Sequence, residues 1–173
     1  MLITGGCKSG KRRDTKYFYH VARWFDMDND GDLDLLTTRA ESLYNPVEVT
    51  SSQLVWFENP GDQKFLAGNN PWKSWVIEAG NDLADTYLDV HQANGEIYVV
   101  AGGFSSKRLV VYQGAGLDWR ETTNVKATVY DNDGFYFAQS FEDLDLDGVP
   151  DVIATIGSYP KFKISNSFNF SLV

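Results

Sequence analysis

Asp26-Met27-Asp28-Asn29-Asp30-Gly31-Asp32-Leu33-Asp34 and Asp143-Leu144-Asp145-Leu146-Asp147-Gly148-Val149-Pro150-Asp151 repeat one nine-residue pattern, Asp-x-Asp-x-Asp-Gly-x-x-Asp. Each copy runs straight into apolar and β-branched residues, Leu35-Leu36-Thr37-Thr38 after the first and Val152-Ile153-Ala154-Thr155-Ile156 after the second. The alternation decides where side chains go. In a curling loop, positions 1, 3 and 5 turn inward together, and a glycine at position 6, Gly31 or Gly148, permits the sharp turn. Position 7, Asp32 or Val149, then offers its backbone carbonyl, so a valine is no defect there. Position 9, Asp34 or Asp151, closes the cage as the next strand begins.

Asp26, Asp28, Asp30, Asp32 and Asp34 crowd five carboxylates into nine residues. Like charges ~4 Å apart repel by about 1 kcal/mol in water and about 4 kcal/mol at an intermediate dielectric. A divalent ion removes that cost and adds bonds. Oxygen-only ligands point to a hard cation, and a flexible set of about 6–8 of them favours Ca²⁺ over Mg²⁺. Two Ca²⁺ sites are therefore expected, with a structural role: the ion pins a loop between strands. A helix–loop–helix calcium site is excluded, because it needs a bidentate Glu at position 12 and flanking helices. Position 12 is Thr37 in one loop and Ala154 in the other, and the flanks are strand-like. A single Asp-x-Asp-Gly would read as a solvated acidic turn; two full matches, each leading into a strand, do not.

Working outward, short β-rich runs alternate with turn signals. Strands are predicted over Tyr17–Phe25, Leu33–Thr38, Gln53–Glu58, Trp72–Glu78, Tyr87–His91, Glu96–Ala101, Arg108–Tyr112, Val125–Tyr130, Phe135–Phe141 and Val152–Ile156. Asn59-Pro60-Gly61 is a strong turn, and Asn94-Gly95 is the favoured two-residue hairpin turn. No helical period extends beyond two turns. Midway between the acidic loops, Tyr87–Gly103 resembles Phe141–Gly157 with its ligands eroded: Asp89 remains, but His91, Ala93 and Asn94 stand where acids would be, so no metal is expected there. The unit is a strand, a loop, a strand and two further strands, which matches a propeller blade. The expected fold is all-β, with blades of four antiparallel strands in a partial or incomplete ring. One repeat domain spans 1–173, with repeats at about 17–80, 81–135 and 136–173 and a remnant strand plus basic loop at 1–16. An open array leaves exposed strand edges, so the chain is expected to belong to something larger or to self-associate.

At these residues the chain resembles the FG-GAP/VCBS repeat family, the calcium-loop β-propellers known from the head of integrin α-subunits. The resemblance is carried by Phe25–Leu36, by Phe141–Ile153 and by Val55-Trp56-Phe57-Glu58-Asn59-Pro60-Gly61, which looks like a second blade strand; it covers roughly Tyr17 to Ser158. It implies that the first, third, fifth and ninth loop positions bind Ca²⁺ through side chains and the seventh through its carbonyl. That assigns Asp26, Asp28, Asp30, Asp32 and Asp34 to one site and Asp143, Asp145, Asp147, Val149 and Asp151 to the other. It implies an extracellular or cell-surface protein acting in interaction, adhesion or assembly. The alternatives are a carbohydrate-binding module and the scaffold of a secreted polysaccharide-active enzyme. The family ring has about seven blades, more than this chain holds, and the repeat identifies a fold better than a function.

The bulk properties agree. At 173 residues, 43% hydrophobic and 23% charged, the chain is globular and long enough for one core. The net charge is -9, and nine of the 24 acidic residues lie in the two loops. Two divalent ions would bring the charge to -5, so the acidity is largely local, and nucleic acid is not an expected partner. No apolar run approaches the ~18 residues of a membrane span, and membrane insertion is not expected. Met1–Gly6 lacks the basic start and long apolar core of a signal peptide. Cys7 is the only cysteine, which precludes an intrachain disulfide. Asn169-Phe170-Ser171 is a glycosylation sequon.

Other candidates carry less. Gly5–Lys11 nearly fits a phosphate-binding loop, but Arg12 replaces the Mg²⁺-binding hydroxyl, and β character follows where a helix is required. The segment reads instead as a flexible basic loop (Lys8, Lys11, Arg12, Arg13 and Lys16) suited to contact an acidic glycan or a neighbouring subunit. His20 and His91 read as packed or edge histidines. No nucleophile motif supports a catalytic triad, so an enzyme is not expected. Trp56, Phe57, Trp72, Trp75 and Trp119 could stack on sugars or a protein partner, but blade-to-blade packing consumes such aromatics. A protein or glycan partner is expected without being identified.

Overall fold

The computed structural model describes residues 17–43, 48–61, 72–80, 87–103, 107–131, 135–158 and 161–163. They form eleven strands in three antiparallel sheets. The first sheet holds β1 (Tyr17–Phe25), β2 (Asp34–Leu43), β3 (Glu48–Glu58) and β4 (Lys73–Gly80), each paired with the next in sequence. The second repeats that order with β5 (Tyr87–Ala93), β6 (Glu96–Gly102), β7 (Arg108–Gly114) and β8 (Lys126–Asp131). The third holds β9 (Phe135–Glu142), β10 (Asp151–Ser158) and β11 (Lys161–Lys163). The fold is all-β, of meander blades in an incomplete ring, and among the described residues no sheet closes into a barrel. No helix among the described residues is long and apolar enough to cross a membrane. Residues 1–16, with the Gly5–Lys11 loop, Cys7 and the basic cluster, lie outside the described residues, as does Asn169.

The blades stand side by side through their first strands. β5 neighbours both β1 and β9. Asp89 on β5 ties all three together: its Oδ1 accepts from Arg23 Nε of β1 at 3.2 Å, and its Oδ2 accepts from the Phe141 backbone N of β9 at 3.3 Å. The residue read from sequence as the remnant of an eroded, metal-free loop is therefore a joint between blades. The Tyr87–Gly103 alignment is corrected with it. Ala93 pairs with Glu96 where Phe25 pairs with Asp34 and Glu142 with Asp151. The second blade has thus lost its loop outright: Asn94-Gly95 replaces the acidic loops at 26–33 and 143–150. Both turn residues take positive φ, 52° and 81°, as a type I′ turn requires.

Two cores lie between the sheets. Leu36, Leu54, Trp56 and Ile77 of the first blade meet Leu88, Ile97, Val99, Val110 and Tyr112 of the second. On its other face the second blade presents Tyr98, Val100, Leu109 and Val111 to Tyr136, Phe141, Val152 and Ala154 of the third. Successive side chains of a strand point to opposite faces, so a sheet buried on both sides must be apolar without alternation. That is why β6 and β7 read as unbroken runs, Ile97–Ala101 and Leu109–Tyr112. Trp56 and Trp119 are fully buried in the first core, which assigns them to blade packing; Trp75 is half-buried and stacks on Trp56 with centroids 6.2 Å apart.

Candidate metal centres

Each acidic loop joins the first strand of a blade to the second. The paired residues at its base, Phe25 with Asp34 and Glu142 with Asp151, put position 9 at the loop's root. Position 1 organises the crest. Asp26 accepts from the backbone N of Asp30 (3.1 Å, on Oδ1) and of Gly31 (2.9 Å, on Oδ2); Asp143 accepts from Asp147 N (3.1 Å) and Gly148 N (3.0 Å) in the same way. Position 9 anchors the entry: Asp34 Oδ2 accepts from Met27 N and Asp151 Oδ2 from Leu144 N, both at 3.0 Å. Gly31 and Gly148 take φ of 95° and 86°. Position 4 is also left-handed, with Asn29 at 59° and Leu146 at 63°. Asn tolerates that conformation; a leucine there costs about 1–2 kcal/mol.

This scaffold brings position 1, 3 and 9 carboxylates together. One oxygen each from Asp26, Asp28 and Asp34 lie within 4.8 Å of one another, and so do one each from Asp143, Asp145 and Asp151. Asp30 and Asp147 are not in these clusters: each gives an oxygen to the loop backbone, accepting from Asp32 N at 3.0 Å and Val149 N at 2.8 Å. Asp32 and Val149 also lie outside them, as befits a position expected to act through its carbonyl.

The two loops differ in surroundings. In the first, Asp28 and Asp34 are buried, and Met27 inserts fully into the core between the first two blades. The second blade closes over it: Gly116 packs beneath Asn29, Gln92 Nε2 donates to Asn29 Oδ1 at 3.2 Å, and Arg120 pairs with Asp28 Oδ2 and with Glu58 Oε1. Asn59 adds a backbone N–H to Asp34 Oδ1 at 2.7 Å and a side-chain N–H to Leu33 O at 3.1 Å. The second loop stands open, with Asp145 exposed and Leu146 exposed at 85%. It touches the second blade through Asn94 Nδ2, which donates to Gly148 O at 3.1 Å. The blade without a loop of its own thus lies against those of both neighbours. Sequence reasoning missed Arg120, Glu58 and Asn59. Only Asn59 carried a local sign, its Asn-Pro-Gly turn; Arg120 sits far along the chain from Asp28.

Asp28 Oδ1 and Asp32 Oδ1 are buried and accept no hydrogen bond, and a buried acceptor without a donor asks for an ion or water. Burial pushes the Asp34 carboxyl up to about 6, against the pull of the Asn59 and Met27 N–H groups. Burial and then the Asp30 charge raise Asp28, where Arg120 opposes them, and the same two causes raise Asp32. The donor set is all oxygen and hard, and fits Ca²⁺.

A pH dependence follows. Asp34 titrates near 3.8 when unfolded and near 6 when folded. Its folded pKa is raised, so its contribution to stability is full below pH ~4 and lost as pH rises through ~6. At 1.36 kcal/mol per pKa unit the loss is up to about 3 kcal/mol. In EDTA, Asp34→Asn is expected to abolish that part of the change in urea midpoint between about pH 4 and pH 7. Equal pH slopes in variant and wild type would refute it. Calcium affinity is expected to rise over the same interval, since the metal displaces the proton.

No protein-family model matches the chain, and neither does any curated protein or solved structure.

Proposed function

We propose that the chain is a calcium-stabilised β-propeller segment of FG-GAP/VCBS type, acting in extracellular protein interaction, adhesion or assembly rather than in catalysis. One observation carries the reading. Two loops at equivalent places in two blades fold the same way and gather the same three carboxylates, Asp26, Asp28 and Asp34 in one and Asp143, Asp145 and Asp151 in the other. Acidic turns held only by solvent have no reason to share position-1 hydrogen bonds, glycine angles and a buried position-9 carboxylate. Such loops act by holding strands and blades in register, and a rigid array of blades suits a recognition surface or a scaffold.

Calorimetry with Ca²⁺ tests it. The wild type is expected to bind two ions, Asp28→Ala and Asp145→Ala one each, and the double variant none. Loss of one ligating carboxylate is expected to weaken its loop by at least about 100-fold, given how steeply affinity follows ligand charge. No heat of binding at millimolar calcium in the wild type would end the proposal.

A carbohydrate-binding reading has one observation in its favour: Trp24 is half exposed and meets Trp72 edge-on with centroids 6.1 Å apart. Glycan-array binding abolished by Trp24→Ala would move the assignment there.

A further inference from the structure

We propose that Arg120 is a resident counter-cation of the first loop, opposing calcium at Asp28 and thereby setting that loop's affinity. The proposal rests on the calcium reading above and adds a regulator from a different blade.

Arg120 ends the 3-10 turn Gly116–Arg120 of the second blade. Its Nη2 pairs with Asp28 Oδ2, whose side chain is almost wholly buried, and lies 3.0 Å from Glu58 Oε1. The guanidinium is held in place, 5.9 Å above the Trp75 ring, while Trp75 Nε1 donates to the other oxygen of Glu58 at 2.7 Å. Asp28 therefore has Oδ2 on Arg120 and Oδ1 buried without a partner, and one oxygen of the same carboxylate clusters with Asp26 and Asp34. A cation bound by that cluster would share the Asp28 carboxylate with the guanidinium. The two positive charges then repel across a few ångströms of partly desolvated protein, and Glu58 offsets only part of the repulsion.

The second loop has no such partner. Among the described residues no basic side chain pairs with Asp143, Asp145, Asp147 or Asp151, whose recorded hydrogen bonds all run to their own loop's N–H groups. Without calcium the first loop keeps a positive charge beside its carboxylates as well as its contact with the second blade, while the second loop keeps only the Asn94–Gly148 contact. The first loop is thus the calcium-tolerant joint of the array and the second the calcium-dependent one.

The test uses an Asp145→Ala chain, so that the first loop is read alone. There Arg120→Gln is expected to bind Ca²⁺ about tenfold tighter than its parent, within the usual range of coupling between two sites. Its melting temperature should fall in EDTA and return towards the parent's in calcium. Arg120→Lys keeps the charge and should bind within about threefold of the parent, since a point charge replaces the fork. A purely structural Arg120 would lower stability equally with and without calcium and tighten nothing. Unchanged or weaker binding by Arg120→Gln overturns the proposal, as does an Arg120→Gln chain that stays unfolded in millimolar calcium. No calcium binding by the wild type removes the underlying reading instead, and the proposal with it.

Discussion

Chelation with EDTA is expected to lower the thermal midpoint by about 10–20 °C. Binding to the folded state alone stabilises it by RT ln(1 + [L]/Kd), about 2.7 kcal/mol per site at free calcium one hundred times Kd. Two sites give about 5 kcal/mol, and each kcal/mol moves the midpoint by about 2–4 °C in a chain of this size. The structural cause is visible in both loops. Asp28 and Asp34 are buried at the rim of the first interblade core, and Asp151 is buried at the root of the second loop. Without metal these carboxylates rely on Arg120 and backbone N–H groups against their mutual repulsion. Magnesium at the same concentration should restore less, because it demands a small octahedral set and gives up its waters reluctantly. A midpoint indifferent to EDTA at pH 7 would leave the loops as solvated turns.

The strands were legible because their signals are local. Tyr17–Phe25 is found with the predicted limits, and the other nine predicted strands differ from those observed mostly at their ends. The Asp-x-Asp-x-Asp-Gly spacing pointed to converging carboxylates at positions 1, 3, 5 and 9; positions 1, 3 and 9 cluster, while position 5 turns an oxygen to the loop's own N–H groups. What stayed hidden depends on contacts between blades. Met27 and Leu144 occupy the same loop position and are both apolar. Met27 is wholly buried and Leu144 is 47% exposed, because the second blade packs over the first loop and Met27 joins their shared core, whereas Asn94 meets the second loop at Gly148. Arg120 could not be found by pattern, since its partners Asp28 and Glu58 lie in another blade. Asp89 misled the alignment of the middle repeat: the sequence pattern matches it to position 1 of an acidic loop, whereas its strand position makes it a bridge to Arg23 and Phe141.

The loss of a loop from the middle blade fits its place. Its sheet is covered on both faces, by the first blade through Val99 and Val110 and by the third through Val100 and Val111. Burial of that extent stabilises a hairpin without a metal, and a two-residue turn also costs the least closure entropy. The flanking blades each have one described face against the second blade. On the proposed reading, calcium and apolar burial are alternative means of fixing the same strand connection.

Trp56→Ala is expected to cost about 4 kcal/mol, lowering the midpoint by about 10–15 °C. The side chain is fully buried at the centre of the first core, stacked on Trp75, and its indole N–H donates to the Trp119 carbonyl of the second blade at 3.1 Å. Deletion leaves a large cavity between two sheets and strips a buried carbonyl of its donor, which adds about 1 kcal/mol. Trp56→Phe keeps most of the ring contact and should cost about 1–2 kcal/mol, the hydrogen bond and part of the volume. Trp24→Ala, at a site 52% exposed, should stay within about 1 kcal/mol of wild type. Because Met27 enters the same core, Trp56→Ala should also weaken calcium at the first loop and leave the second unchanged. If Trp56→Ala melts with Trp24→Ala, or weakens both loops alike, then the first core does not join loop to blade as the packing of Met27, Trp56 and Trp119 requires.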